Sequence, residues 1–345
     1  MLVPFVIDAD SLIPDSNNFN NCFEYKPALR ACHKNLLTIW RRIGILVHDG
    51  HSLKESHLYQ TIGKLPQGLR TDWLELLEKV PLISCKTDWN GTVERNTLMN
   101  FCFTAQLAIV DDTCAYIEFG FSDECDEKSV PIISSTSSID ICRLIAASQA
   151  TQFKNALSQA EAHIECGDSY QKIWDIRFKM LAFAPIKKIS IVDRYAVSQN
   201  YECPKEKLSG LARFLRLLDK DSTGDRYVTL YSAWTKELKE KSLSFDEIVA
   251  DIQDIFDRLP IKNIKFIKIY MIPNSGFVRD AHDRFIRFDN YIWEIGRGLK
   301  VFEGPCAAQK STATFKTEIL AVKAFKDTED ELRKHPRVKF KECRL

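Results

Sequence analysis

His282 and Arg284 stand two residues apart in His282-Asp283-Arg284-Phe285-Ile286-Arg287-Phe288-Asp289, and Gly296 follows seven residues after Asp289. On a strand, positions i and i+2 point to one face, so the imidazole and the guanidinium would share it. That pair suits phosphoryl chemistry. An imidazole can attack phosphorus or protonate a leaving oxygen, while the cation holds a phosphoryl oxygen. Asp289 is the candidate to orient the imidazole through its second nitrogen, and Gly296 permits a close turn beside the phosphate. Arg194, Arg287 and Arg297 are candidate phosphate ligands, because a guanidinium grips phosphate through a two-pronged fork but cannot serve as a proton donor.

A second set of residues is acidic. Asp8 and Asp10 follow the apolar run at 3–7, Asp49 follows the run at 43–48, and Asp111 and Asp112 follow the run at 106–110. Acids at the ends of adjacent parallel strands could converge, and clustered carboxylates repel one another unless a divalent cation or hydrogen bonds compensate. Magnesium or manganese held by Asp8, Asp10, Asp111 and Asp112 could activate water for phosphodiester cleavage. Glu55, Glu75 and Glu94 are candidates for a further helical acid, Glu94 first, because it opens a helix expected over 93–101. An Asp after a strand is equally well placed as a turn or helix-capping residue. His48, His51 and His57 lack the spacing of a helical zinc site and read as loop or surface histidines.

The elements that position these groups alternate. Short apolar strands are expected at 3–7, 43–48, 106–110 and 130–134, with helices over 27–42 and 69–79 between them, a pattern of parallel α/β sheets. In such sheets ligands gather at the carboxyl ends of strands. From 138 to 183 the pattern reads as helical. Strands then recur at 188–193, 227–232, 264–271, 283–288 and 291–295, with helices over 205–219 and 244–259 and a last strand at 312–322. Asp289-Asn290 is the turn of a hairpin. The expected organisation is an α/β domain over 1–137, a helical connector over 138–185 and a second α/β domain over 186–345.

The chain has 345 residues, room for two domains. Its 48 Lys and Arg balance 47 Asp and Glu, so any nucleic-acid binding must come from a local patch. The 11 cysteines include no C-x2-C pair, which argues for free thiols in a reducing compartment. No apolar window approaches a membrane span and no signal peptide is recognisable, so a cytoplasmic protein is expected.

Two resemblances bear on these sets. H-x-R-x4-D-x6-G resembles the H-x-K-x4-D-x6-G-S signature of the phospholipase D superfamily, with Arg284 for Lys and Arg297 for Ser. Ile189-Ser-Ile-Val-Asp193-Arg194-Tyr195, His282-Asp283-Arg284 and Ile295-Gly296-Arg297-Gly298-Leu299 are more closely similar to the phospholipase-D-like domain found after microtubule-interacting-and-trafficking modules, over roughly 186–325. That resemblance implies phosphate binding, to acidic lipid among other ligands. Hydrolysis would need a second histidine from a homodimer. Val6-Ile-Asp-Ala-Asp10 and Ala108-Ile-Val-Asp-Asp112 resemble PIN-like nucleases over about 1–135, which implies a metal-binding, Rossmann-like first domain.

Together these readings predict a phosphodiester-acting protein, a nuclease effector of a bacterial defence or toxin-like system. Nucleic acid, a second copy and a partner protein from the same system are its expected partners. The alternative is a non-catalytic module that recognises phosphate on nucleic acid, acidic lipid or a protein.

Overall fold

A computed structural model describes residues 1–13, 25–49, 52–85, 105–121, 129–133, 138–204, 207–280 and 284–344. They form two compact α/β units, Leu2–Ser158 and, together with Met1, Gln159–Leu345. The division falls inside the stretch expected as a connector.

The first unit runs β1 (Val3–Ile7), α1 (Tyr25–Ile43), β2 (Gly44–Asp49), α2 (His57–Lys64), α3 (Gln67–Lys79), β3 (Ile83–Cys85), β4 (Leu107–Val110), α4 (Asp112–Ile117), β5 (Val130–Ile133), β6 (Ser138–Arg143) and α5 (Thr151–Glu161). Among the described residues its sheet has the order β3-β2-β1-β4-β6-β5. β1, β2, β3, β4 and β6 are mutually parallel, and β5 is an antiparallel edge. β1 is buried along its whole length, as a central strand with two covered faces must be. Phe5, Trp40, Trp73 and Phe153 pack edge-on and tilted beside it. His33 is fully buried: its Nδ1 accepts from the Trp73 indole N–H at 3.1 Å, and its Nε2 contacts the Leu12 carbonyl at 3.1 Å. Residues 138–143, expected to begin a helix, are instead β6. The alternation of Ile139 and Ile141 with polar neighbours serves a strand, and β6 pairs with β4 from Leu107↔Asp140 to Val110↔Arg143. The helix expected over 93–101, with Glu94, lies outside the described residues.

The second unit runs α6 (Tyr170–Arg177), α7 (Lys179–Phe183), β7 (Lys188–Val192), α8 (Ala196–Glu202), α9 (Gly210–Asp221), β8 (Arg226–Trp234), α10 (Lys236–Glu240), α11 (Phe245–Arg258), β9 (Ile264–Pro273), α12 (Asn274–Asp280), β10 (Phe285–Phe288), β11 (Tyr291–Ile295), β12 (Ala313–Lys316), α13 (Ile319–Lys334) and β13 (Lys339–Arg344). Its sheet is mixed, β12-β11-β10-β7-β8-β9-β13, with β7, β8 and β9 parallel. Trp174, Phe178, Phe214, Trp293 and Phe302 form an aromatic core. A second core gathers Val192, Tyr231, Phe277, Phe285, Val322 and Leu332. The expected last strand at 312–322 is split. β12 ends at Lys316, and the apolar Ile-Leu-Ala-Val run belongs to α13, whose Val322 and Leu332 are its buried stripe. Among the described residues no helix is long and apolar enough to cross a membrane.

Candidate functional site

In the first sheet the chain moves from β1 outward to β2 and β3, then returns to place β4 on the other side of β1. Loops leaving β1 and β4 at such a reversal part to opposite faces and leave a crevice at the carboxyl ends. The acids stand there. Asp8 follows β1 and donates its backbone N–H to Ile109 of β4 at 2.8 Å, which holds the two strand ends together. Its carboxylate accepts the Asp10 N–H at 2.9 Å. Asp111 caps α4 by accepting the Cys114 N–H at 2.6 Å.

Carboxylate oxygens of Asp8, Asp10 and Asp111 lie within 4.8 Å of one another; Asp8 is buried, Asp111 half-buried and Asp10 exposed. The turn and capping roles and the convergence therefore coexist: one carboxylate shapes its loop and still faces the others. The side chains of Asp112 and Asp49 lie outside the described residues.

Two neighbours extend this cluster. His57, at the start of α2, places Nε2 3.0 Å from Asp10 Oδ1; the reading of a loop histidine misses this, because nothing local in the sequence brings α2 to the end of β1. Cys114 carries a thiol pushed well above its usual range by burial, with Glu118, Asp111 and Asp8 adding to the effect. Glu118, seven residues beyond Asp111, closes α4 at its other end, a spacing visible in the sequence. All-oxygen carboxylate sets of this kind suit the hard divalent cations magnesium and manganese.

In the second unit, Asp193 follows β7 and is 1% exposed. Its carboxylate accepts the Tyr195 N–H at 3.0 Å and the Leu299 N–H at 2.7 Å, and Arg284 Nε lies 3.8 Å away. Burial raises its pKa, opposed by Arg284 and by the two backbone amides. Gly298 makes the approach possible: its φ is +56°, and a Cβ there would overlap the Asp193 carboxylate. The glycine that the turn needs is therefore Gly298, beside the Gly296 singled out by the motif. Arg284 and Arg194 lie over the Tyr195 ring, with guanidinium carbons 4.9 and 5.1 Å from its centroid. A pocket of about 420 Å³ opens here, lined by Tyr195, Arg284, Arg297 and Lys300, with Glu202 and Glu237 also on its wall.

The predicted residues of this half part company. Arg284 and Arg297 line the pocket; Arg297 also reaches Gln309 through its guanidinium. Arg194 donates to Asn274 at 2.8 Å. Arg287 is not available to phosphate: Glu329 takes its fork at 2.6 Å twice, and its remaining nitrogen donates to the Asp289 carbonyl. Asp289 cannot orient a group beside Arg284, because it sits in the hairpin turn at φ +53°, at the opposite end of β10, roughly 17 Å along the strand. The carboxylate that reaches Arg284 is Asp193. His282 lies outside the described residues.

No family model and no curated protein matches this sequence. Among the solved structures that align with it is TrmBL2, an archaeal chromatin protein whose structure is described as showing a novel mode of DNA binding. The match has 10% identity over 61% of this chain and 77% of that one, with a TM-score of 0.23, and carries no argument at that value.

Proposed function

We propose that the chain is a metal-dependent phosphodiesterase acting on nucleic acid, with its reaction centre at Asp8, Asp10 and Asp111. The observation that supports this reading is the gathering of three carboxylates, from the ends of two adjacent parallel strands, in the crevice where the strand order reverses. Like charges this close are stabilised by a counter-ion. Asp8, Asp10 and Asp111 would hold magnesium or manganese, and the chemistry such an ion supplies when bound is activation of water and neutralisation of phosphoryl charge. The Asp10 N–H orients the Asp8 carboxylate, and the Cys114 N–H orients that of Asp111. His57 can hold a proton at Nε2 against Asp10.

The test is cleavage of labelled single-stranded and duplex DNA and RNA with manganese and with EDTA. The expected result is cutting that EDTA stops and that Asp8→Asn removes. Cutting that persists in EDTA, or in Asp8→Asn, contradicts it.

A second reading concerns the other unit, where Arg284, Arg297 and Lys300 share a pocket. This wall would bind phosphate through the Arg284 and Arg297 guanidinium groups and the Lys300 ammonium. Binding of inorganic phosphate that Arg297→Ala weakens, with no turnover attached, is its expected signature.

A further inference from the structure

The second sheet presents a second surface, away from the Arg284 pocket and at the other end of its parallel strands. Strand register places side chains in rows across it. Lys188, Tyr227, Phe266 and Arg344 pair in sequence across β7, β8, β9 and β13, and the next row on that face holds Ser190, Thr229, Lys268 and Glu342. The row beyond, Val192, Tyr231 and Tyr270, belongs to the core packed with α12 and α13; Tyr227 and Phe266 are not part of that core and remain partly exposed.

Tyr227 and Phe266 stack with centroids 4.9 Å apart and planes at 27°. Lys268 lies over the Phe266 ring at 5.1 Å. Lys188 and Arg344 are exposed at the two ends of the aromatic row, Arg344 with 87% of its side chain open. The row spans three inter-strand steps, roughly 14 Å. Lys268 and Arg344 share the carboxylate of Glu342, which lies 3.3 Å from Lys268 and 3.5 Å from Arg344. A stacked cross-strand pair needs no flanking cations to stabilise a sheet. Cations at both ends of an aromatic shelf match a different ligand: bases that stack, joined by phosphates that need counter-charge.

We infer that the Tyr227–Phe266 shelf, with Lys188, Lys268 and Arg344, binds single-stranded nucleic acid. The inference rests on the reading of the chain as acting on nucleic acid, but not on its metal centre. Phosphates go to Lys188 and Arg344, and a base stacks on the aromatic pair. Glu342 limits the affinity by neutralising part of the patch.

Fluorescence anisotropy of labelled oligo(dT), oligo(U) and a duplex, in EDTA so that nothing is cut, tests this on the full chain. Lys188→Glu with Arg344→Glu changes exposed residues only. It should weaken single-strand binding by at least about tenfold and lower the salt slope by about 1.4, two contacts' worth. Phe266→Leu, checked for an unchanged melting temperature, should cost about tenfold for single strands and little for duplex. Glu342→Gln should tighten binding, which a purely structural pair does not predict. Binding unchanged in all three variants overturns the shelf and leaves metal-dependent cleavage standing. Absence of manganese-dependent cleavage, with binding lost in these variants, overturns the nuclease reading and leaves the shelf. Variants that instead lose binding to phosphatidylserine vesicles, with no oligonucleotide bound, overturn the assignment to nucleic acid.

Discussion

Asp8 and Asp193 each end an apolar parallel strand, each is 1% exposed, and each accepts the backbone N–H two residues on, at 2.9 and 3.0 Å. Each also donates its own N–H to the neighbouring parallel strand, Asp8 to Ile109 and Asp193 to Tyr231. The local geometry is the same and the company is opposite. Asp8 faces Asp10 and Asp111. Asp193 faces Arg284 and the Leu299 amide, delivered by the left-handed turn at Gly298. A buried carboxylate among carboxylates is a place for a cation. A buried carboxylate already met by a guanidinium and two amides organises cations around it, and the pocket beside it is suited to an anion. The acid at a strand end decides the chemistry less than the groups that the rest of the fold brings to meet it.

The largest effect that would sharpen this contrast concerns Arg287, which shares a sequence motif with Arg284 but not its pocket. Arg287→Ala leaves Glu329, with a side chain only 4% exposed, without its partner. It should destabilise the second unit by about 3–5 kcal/mol in denaturant unfolding, and phosphate affinity of the folded protein should not change. A stable variant with weakened phosphate binding would place Arg287 in the pocket after all.

Next in size is the pair Asp8→Asn and Asp193→Asn. Both keep an oxygen for the turn N–H. Asp8→Asn should lower manganese-dependent cleavage by at least about 100-fold, nearly 3 kcal/mol. Asp193→Asn should leave the metal dependence intact. Equal loss of cleavage in the two variants would break the comparison.

Smaller again is Arg297→Ala, expected to weaken inorganic phosphate by about tenfold in calorimetry. The smallest is a pH effect in the first unit. Burial holds His33 below its ordinary pKa. A lowered folded value means that its contribution is complete above about 6.5 and is lost as the pH falls through the folded value. Melting temperature should therefore fall between about pH 7 and 5, and less steeply in His33→Asn.

Much of the fold is legible in the residues. Apolar runs ending in Asp announce parallel strands and acids at their carboxyl ends, and Asp8, Asp10 and Asp111 do meet. That meeting depends on β1 and β4 being neighbours, which only non-local pairing decides. His57 is invisible for the same reason: its partner is 47 residues away. The motif misassigns Asp289 because H-x-R-x4-D counts residues along a strand and treats distance in sequence as nearness. An extended β10 carries residue 289 away from Arg284, while the fold brings Asp193 in from 91 residues upstream. Residues 138–143 and 319–322 mislead because short apolar runs satisfy a strand or a helix equally well.

Titration calorimetry of the full chain with manganese measures the central claim directly. The expected result is binding that Asp8→Asn and Asp111→Asn each abolish and that Asp193→Asn leaves unchanged. Manganese that fails to bind the wild type, or binds Asp8→Asn as tightly, would contradict it.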